Sequence, residues 1–112
     1  MTLTMATETP AEGVVLLRLT GRVDAAATMD FEAALLPHAE NPAVTVVILD
    51  GAGMDYIASA GLRVLLNAVK ALASRKAKLY GVGLHPSVAS VLKVTGFLAF
   101  INLRATVAEC LS

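Results

Sequence analysis

Ser59 is the residue best placed for chemistry in this chain. It follows an apolar run, Val44-Thr45-Val46-Val47-Ile48-Leu49, and a segment rich in small residues that ends in Asp55-Tyr56-Ile57-Ala58. It precedes a stretch with the apolar period of a helix. A hydroxyl there sits at a helix start, where free backbone N–H groups and the positive end of the dipole favour an anion. A phosphate on Ser59 is therefore accommodated. Serine is also among the best N-cap residues, and on residue type alone a plain helix cap is the stronger reading.

The other reactive types form no set. Asp50 and Asp55 make a carboxylate pair, but no nucleophile and base accompany them, so they read as loop and capping residues. His38 and His85 lie far apart, and no Cys/His/Asp spacing suggests a metal. Cys110 is the one cysteine, which rules out a disulfide within the chain and leaves a small apolar residue packed in a short C-terminal helix. Nothing here argues for catalysis or for a cofactor.

The helix behind Ser59 is strongly amphipathic. Leu62, Leu65, Leu66, Val69, Leu72 and Ala73 make one apolar stripe at helical period, with Arg63, Asn67, Lys70 and Ser74 on the opposite face. The run Val44 to Leu49 is mostly β-branched and predicts a buried strand. The segment Asp50 to Ala58 then reads as a loop.

Upstream, Leu3 to Thr7 predicts a strand, Thr9 to Gly13 a turn, and Val14 to Leu19 a second strand hairpinned to the first. Gly21 and Asp24 end that strand. A helix is expected within Ala25 to Ala39, with Pro37 in its last turn or at its end.

Downstream, Ala77 to Val82 predicts a strand. Pro86 opens a helix with Val88, Val91 and Leu92 on one face, and Gly96 closes it. Phe97 to Ile101 predicts a last short strand. Thr106-Val107-Ala108-Glu109 has the form of a capping box for a final helix.

A hairpin followed by alternating helices and strands argues for an α/β fold, one mixed sheet layered with helices and joined by right-handed crossovers. The whole chain, residues 1–112, reads as one domain. Ligand sites in such sheets gather at the carboxyl ends of the strands. Asp24, the segment Asp50 to Ala58 and the segment Gly83 to Ser87 should share that edge. Asp24 should be more exposed than packed there, and Asp50 should hold its loop.

Composition narrows the partners. Apolar residues make up 56% and charged residues only 16%. That pattern fits an alanine-rich helical protein, or a surface that keeps some apolar area for a partner. A net charge of zero argues against nucleic acid and against an anionic membrane surface. No apolar run approaches the roughly 20 residues that span a bilayer. The N-terminus lacks the basic start and apolar core of a signal peptide, so a cytoplasmic location is expected.

Three motifs carry a family resemblance. Met54-Asp55-Tyr56-Ile57-Ala58-Ser59-Ala60-Gly61-Leu62-Arg63 resembles the signature of the STAS domain of sulfate transporters and anti-sigma factor antagonists. Leu19-Thr20-Gly21-Arg22-Val23-Asp24 is similar to the family's strand end, and Val91-Leu92-Lys93-Val94-Thr95-Gly96-Phe97 to its third helix and closing glycine. The resemblance covers residues 14 to 111.

It implies a STAS-like fold and a protein-binding switch. Ser59, two residues before Gly61-Leu62, stands where the bacterial antagonists are phosphorylated by a partner kinase. Ala58 stands where many of them have Asp. Asp24 matches an acidic position near the kinase-facing surface, although a turn or cap between strand and helix explains it as well. The implied partner surface comprises Asp24, Asp55, Tyr56, Ala58, Ser59 and Gly61, with Arg63 and Asn67 bordering it on the polar helix face. The implied partners are an anti-sigma factor with a serine-kinase fold and a serine phosphatase.

Two other readings compete. A STAS module that never carries phosphate, such as a scaffold or a transporter's accessory subunit, is favoured by Ala58. A response-regulator receiver is suggested by Asp50 at its strand end. That family also needs an acidic pair at an earlier strand end and a lysine after a late one. Thr20-Gly21 and Asn102-Leu103-Arg104 stand there instead.

Overall fold

The computed structural model describes residues 3–111. Its strands are β1 (Thr4–Ala11), β2 (Val14–Val23), β3 (Val46–Ile57), β4 (Lys78–Val82) and β5 (Asn102–Arg104). Its α-helices are α1 (Thr28–Glu40), α2 (Ser59–Ala73), α3 (Pro86–Val94) and α4 (Val107–Leu111). The five strands form one sheet in the order β1-β2-β3-β4-β5. Only the β1–β2 hairpin is antiparallel; the other three pairings are parallel. This is the mixed α/β arrangement expected from the order of elements.

Strand alternation sorts the core into two faces. Val15, Leu17, Leu19 and Val23 of β2, with Val47, Leu49, Met54 and Ile57 of β3, pack under α1, α2 and α3. Phe31 and Leu35 of α1, Leu65 and Leu72 of α2, and Val88 and Leu92 of α3 complete that layer. Val14 and Leu16 of β2, Ile48 of β3 and Val82 of β4 point the other way, where Cys110 and Val107 of α4 cover them. Burial pushes the Cys110 thiol's pKa up from its ordinary value.

Five local expectations change. The first turn is narrower than Thr9 to Gly13, because β1 continues through a register shift to Ala11 and only Glu12 and Gly13 turn. Gly13 takes a left-handed backbone there, at φ +73°. Gly21 does not end β2, which runs on to Val23. The segment Asp50 to Ile57 is strand, not loop, since it pairs with the prolonged β2 from Thr20↔Gly53 to Val23↔Ile57. Phe97 to Ile101 is not a strand: Gly96 turns left-handed at φ +83° and Phe97–Ala99 winds into a 3-10 turn. The last strand is Asn102–Arg104, paired with β4. On α2 the buried stripe is Val64, Leu65, Ala68, Val69 and Leu72, and Ala73 is exposed, so the stripe sits about one residue round the helix from the predicted one.

Other expectations hold. Pro37 lies in the last turn of α1, and Pro86 opens α3. The Thr106 hydroxyl accepts the Glu109 amide at 3.3 Å and caps α4. Arg75, after α2, donates to the carbonyls of Ala39 (2.7 Å) and Val44 (2.8 Å). It thereby ties the end of α1 to the approach of β3.

Candidate functional site

β2 and β3 run on together past the end of β4, and the candidate edge is built on that extension. The last β3–β4 pair is Asp50↔Val82. Asp50 sits at this junction. Its Oδ2 meets the Arg18 guanidinium at 2.6 Å, and its Oδ1 accepts the Ala52 amide at 3.1 Å. Arg18 also meets Glu8 on β1 at 2.6 Å, so the ladder crosses three strands. The hydrogen bond to Glu8 first, and the two carboxylate charges, raise the Arg18 pKa above its ordinary value. Asp50 therefore holds its segment, as expected.

Beyond Asp50 the pairing is irregular twice. Arg18↔Asp50 is followed by Thr20↔Gly53, and Gly21↔Met54 by Arg22↔Tyr56. Each step leaves one more residue on β3 than on β2. Asp55 is the extra residue of the second step. A bulge of this kind re-aims side chains, and Asp55 is exposed between the buried Met54 and Ile57. Tyr56, 40% exposed, lies under the Arg22 guanidinium at 4.2 Å from the ring centroid. This stack orders two large exposed side chains at the strand end.

The two strand ends then meet the helices they feed. The Ala58 amide donates to the Val23 carbonyl at 2.7 Å, which sets the start of α2 beside the end of β2. Asp24 follows at once. Its Oδ1 accepts the Ala27 amide at 2.9 Å, and its carbonyl accepts the Thr28 hydroxyl at 2.9 Å. Asp24 is half-buried, so it serves as a turn residue as well as lying on the edge, and the expectation that it is merely exposed needs that correction.

Ser59 is not the N-cap. Ala58 holds that position, at φ −80° and ψ 165°, and supplies no side-chain cap. Ser59 is the first helical residue and is exposed. The first turn of α2 contains no acid, so its positive end is balanced neither by a cap nor by a carboxylate of its own. Gly61 is buried. A Cβ on it would meet Val23 Cγ1 at 2.7 Å and Ile57 Cγ1 at 2.9 Å. Gly61 thus shapes the edge by letting α2 approach the strands, and it presents no surface itself. Arg63 and Asn67 are exposed on the outer face of α2.

The start of α3 closes the other side. Ser87 Oγ donates to the Asp55 carbonyl at 3.0 Å. Asp55, Tyr56, Ile57, Ser87, Val88 and Val91 line a shallow groove of about 130 Å³. The strand ends thus bring Asp24 and Asp55–Ser59 to one edge, with Ser87 on its flank.

Sequence reading missed Arg22 at this edge and the contacts of Ser87 and His85. Arg18, Thr20 and Arg22 continue a period of two with Leu17, Leu19 and Val23, which was the available sign that β2 outlasts Gly21. The segment Gly83 to Ser87 was expected at this edge, but the bonds of its last residues were not, because Ser87 reaches Asp55, which is remote in sequence, and His85 acts through Ser87. Among the described residues, no group of three or more His, Cys, Asp or Glu is placed to hold a metal. None of the described helices is long and apolar enough to cross a membrane.

The model of the STAS domain matches residues 6–110. The chain belongs to the STAS domain family. Across 88 residues it is 36% identical to BtrV of Bordetella bronchiseptica, provisionally named an anti-sigma factor antagonist, covering 79% of this chain and 75% of that protein. Its fold is similar to an anti-sigma factor antagonist from Mycobacterium paratuberculosis, at TM-score 0.82, 20% identity, and 98% and 92% coverage of the two chains. It is also similar to the phosphorylated form of the Bacillus cell fate determinant SpoIIAA, at TM-score 0.78, 20% identity, and 96% of each chain. The STAS frame places the bulged end of β3 and the head of α2 side by side.

Proposed function

We propose that this STAS domain, working as a single unit in the cytoplasm, is an anti-sigma factor antagonist and a phosphorylation-controlled binding switch. The observation that carries the reading is Ser59: an exposed hydroxyl on the first residue of an uncapped helix, at the edge shared by Asp24, Asp55 and Tyr56. Unmodified, this edge docks on an anti-sigma factor with a serine-kinase fold, with Arg63 and Asn67 at its border. Docking frees the sigma factor that the partner restrains.

Phosphorylation of Ser59 adds about −2 charge. Inside the chain the free N–H groups of α2 donate to it, so the fold persists. Toward the partner, the phosphate joins Asp24 and Asp55 on one edge. Like-charge contact and lost apolar contact there release the partner. A serine phosphatase resets the switch.

The test is incubation with the cognate kinase and ATP, followed by tandem mass spectrometry. The expected result is phosphate on Ser59. Ser59→Ala should bind and resist modification, and Ser59→Asp should fold and bind poorly. Phosphate on Ser74, Ser87 or a threonine, or tight binding with no phosphate at all, would favour a constitutive scaffold. Ala58 supports that second reading, since it places no carboxylate beside Ser59.

A further inference from the structure

The cap of α3 is a titratable side chain that also touches the docking edge. His85 Nδ1 accepts the Ser87 amide at 3.2 Å and caps the helix. The same nitrogen lies 2.8 Å from Ser87 Oγ. That hydroxyl is 3.0 Å from the Asp55 carbonyl on the β3 bulge. An unprotonated Nδ1 can accept; a protonated one has no lone pair and can only donate.

The geometry points to His85 as a proton-controlled link between the head of α3 and the docking edge. With Nδ1 unprotonated, it takes the Ser87 amide, and the single hydroxyl proton of Ser87 is shared between Nδ1 and the Asp55 carbonyl. When Nδ1 binds a proton, the cap is lost. Nδ1–H then donates to Ser87 Oγ, which commits the hydroxyl proton to Asp55. One proton taken from solvent thus exchanges a helix cap for a firmer tie to the bulge. The imidazolium also faces the positive end of α3, which disfavours the first turn further.

Few charged groups surround the link. α3 packs chiefly against β3 and the 3-10 turn. β3 contributes Asp55 and Tyr56 at this junction, and Tyr56 is stacked with Arg22 of β2. Asp50 of β3 is engaged by Arg18. The 3-10 turn has no ionisable residue, and α3 itself has only Lys93, in its last turn. Asp55 joins the link through its backbone carbonyl. Histidine is the side chain whose charge changes between pH 5 and 8.

This link regulates the edge assigned to partner docking and in that sense rests on the function proposed above. Its test needs only the isolated chain. Amide exchange, corrected for intrinsic rates, and backbone shifts would be followed from about pH 7.5 to about pH 5.5, where imidazole titrates. Protection of Ser87, Val88 and Ala89 should fall about fivefold relative to α2, the size expected for one lost cap. The Asp55 and Tyr56 shifts should move with the same midpoint. His85→Asn, which caps without titrating, should keep protection constant over that range. Ser87→Ala should uncouple the Asp55 shift from the titration. The same pH response in His85→Asn, or none at α3 in the unaltered chain, overturns the inference. Ser59→Ala should titrate like the unaltered chain, so failure here leaves the docking reading standing, and the converse also holds.

Discussion

The heads of α2 and α3 face the same edge and are built in opposite ways. α3 begins with Pro86 behind a side-chain cap from His85, and Ser87 ties it to β3. α2 begins with Ala58, which offers no cap, and with no acid in its first turn. A missing cap costs about 1 kcal/mol. The longer helix can bear that cost, since Val64, Leu65, Ala68, Val69 and Leu72 bury its inner stripe. The nine-residue α3 buries only Val88 and Leu92 and depends more on its ends. The contrast teaches where the fold spends its polar groups: the short helix uses them for itself, and the long one keeps its head open at Ser59.

The strongest way to break the contrast is to spoil the seat of α2. Gly61→Val places methyl groups where Val23 and Ile57 already stand. It should destabilise the chain by about 2 kcal/mol, within the usual cost of overpacking, read as a lower urea midpoint. An unchanged midpoint would mean that the head of α2 is not held by this contact. Supplying the missing cap should do the reverse. Ala58→Asp should stabilise by about 1 kcal/mol in the same assay. If no gain appears, the first amides of α2 already have partners.

Asp24→Ala removes the bond to the Ala27 amide. It should cost about 1 kcal/mol, the net worth of one hydrogen bond, besides weakening partner binding. A binding loss with stability unchanged would return Asp24 to a purely exposed role. The smallest effect lies on the far face. The folded Cys110 thiol keeps its proton above its ordinary pKa of 9.0, with burial as the main cause. The folded state therefore binds more protons than the unfolded state once pH passes that value, and stability falls as pH rises further. Below it the thiol adds no slope. Cys110→Ala should flatten the alkaline limb of a stability profile. An identical limb in both proteins would assign the loss to other groups.

Local pattern made much of this fold legible. The apolar stripe of α2, Pro86 and Gly96 around α3, and the capping box at Thr106 each announce themselves within a few residues. What stayed hidden depends on contacts between distant segments. Gly51, Gly53, Asp50 and Asp55 look like loop residues, and only the prolonged β2 makes them strand. Phe97 to Ile101 has strand-like composition, but the left-handed Gly96 bends it into a tight turn. For the candidate site, Ser59 stands out in the sequence by its position between strand and helix. The contacts of Arg22 and Ser87 do not, because a stack on Tyr56 and a bond to Asp55 leave no trace in spacing.

The overhang of β2 and β3 past Asp50↔Val82 has a mechanical consequence. On that stretch β3 has a strand neighbour on one side only, so the pair works as a cantilever anchored in the five-stranded sheet. The Glu8–Arg18–Asp50 ladder is the clamp at its root, and Arg22 with Tyr56 stiffens its tip. The inner side of the overhang is bolted down, because Val23, Met54 and Ile57 belong to the core, while Asp55 and Tyr56 stand outside it. The overhang thus offers a rigid buried side and a free outer side, and only the outer side chains can rearrange without disturbing the packing beneath.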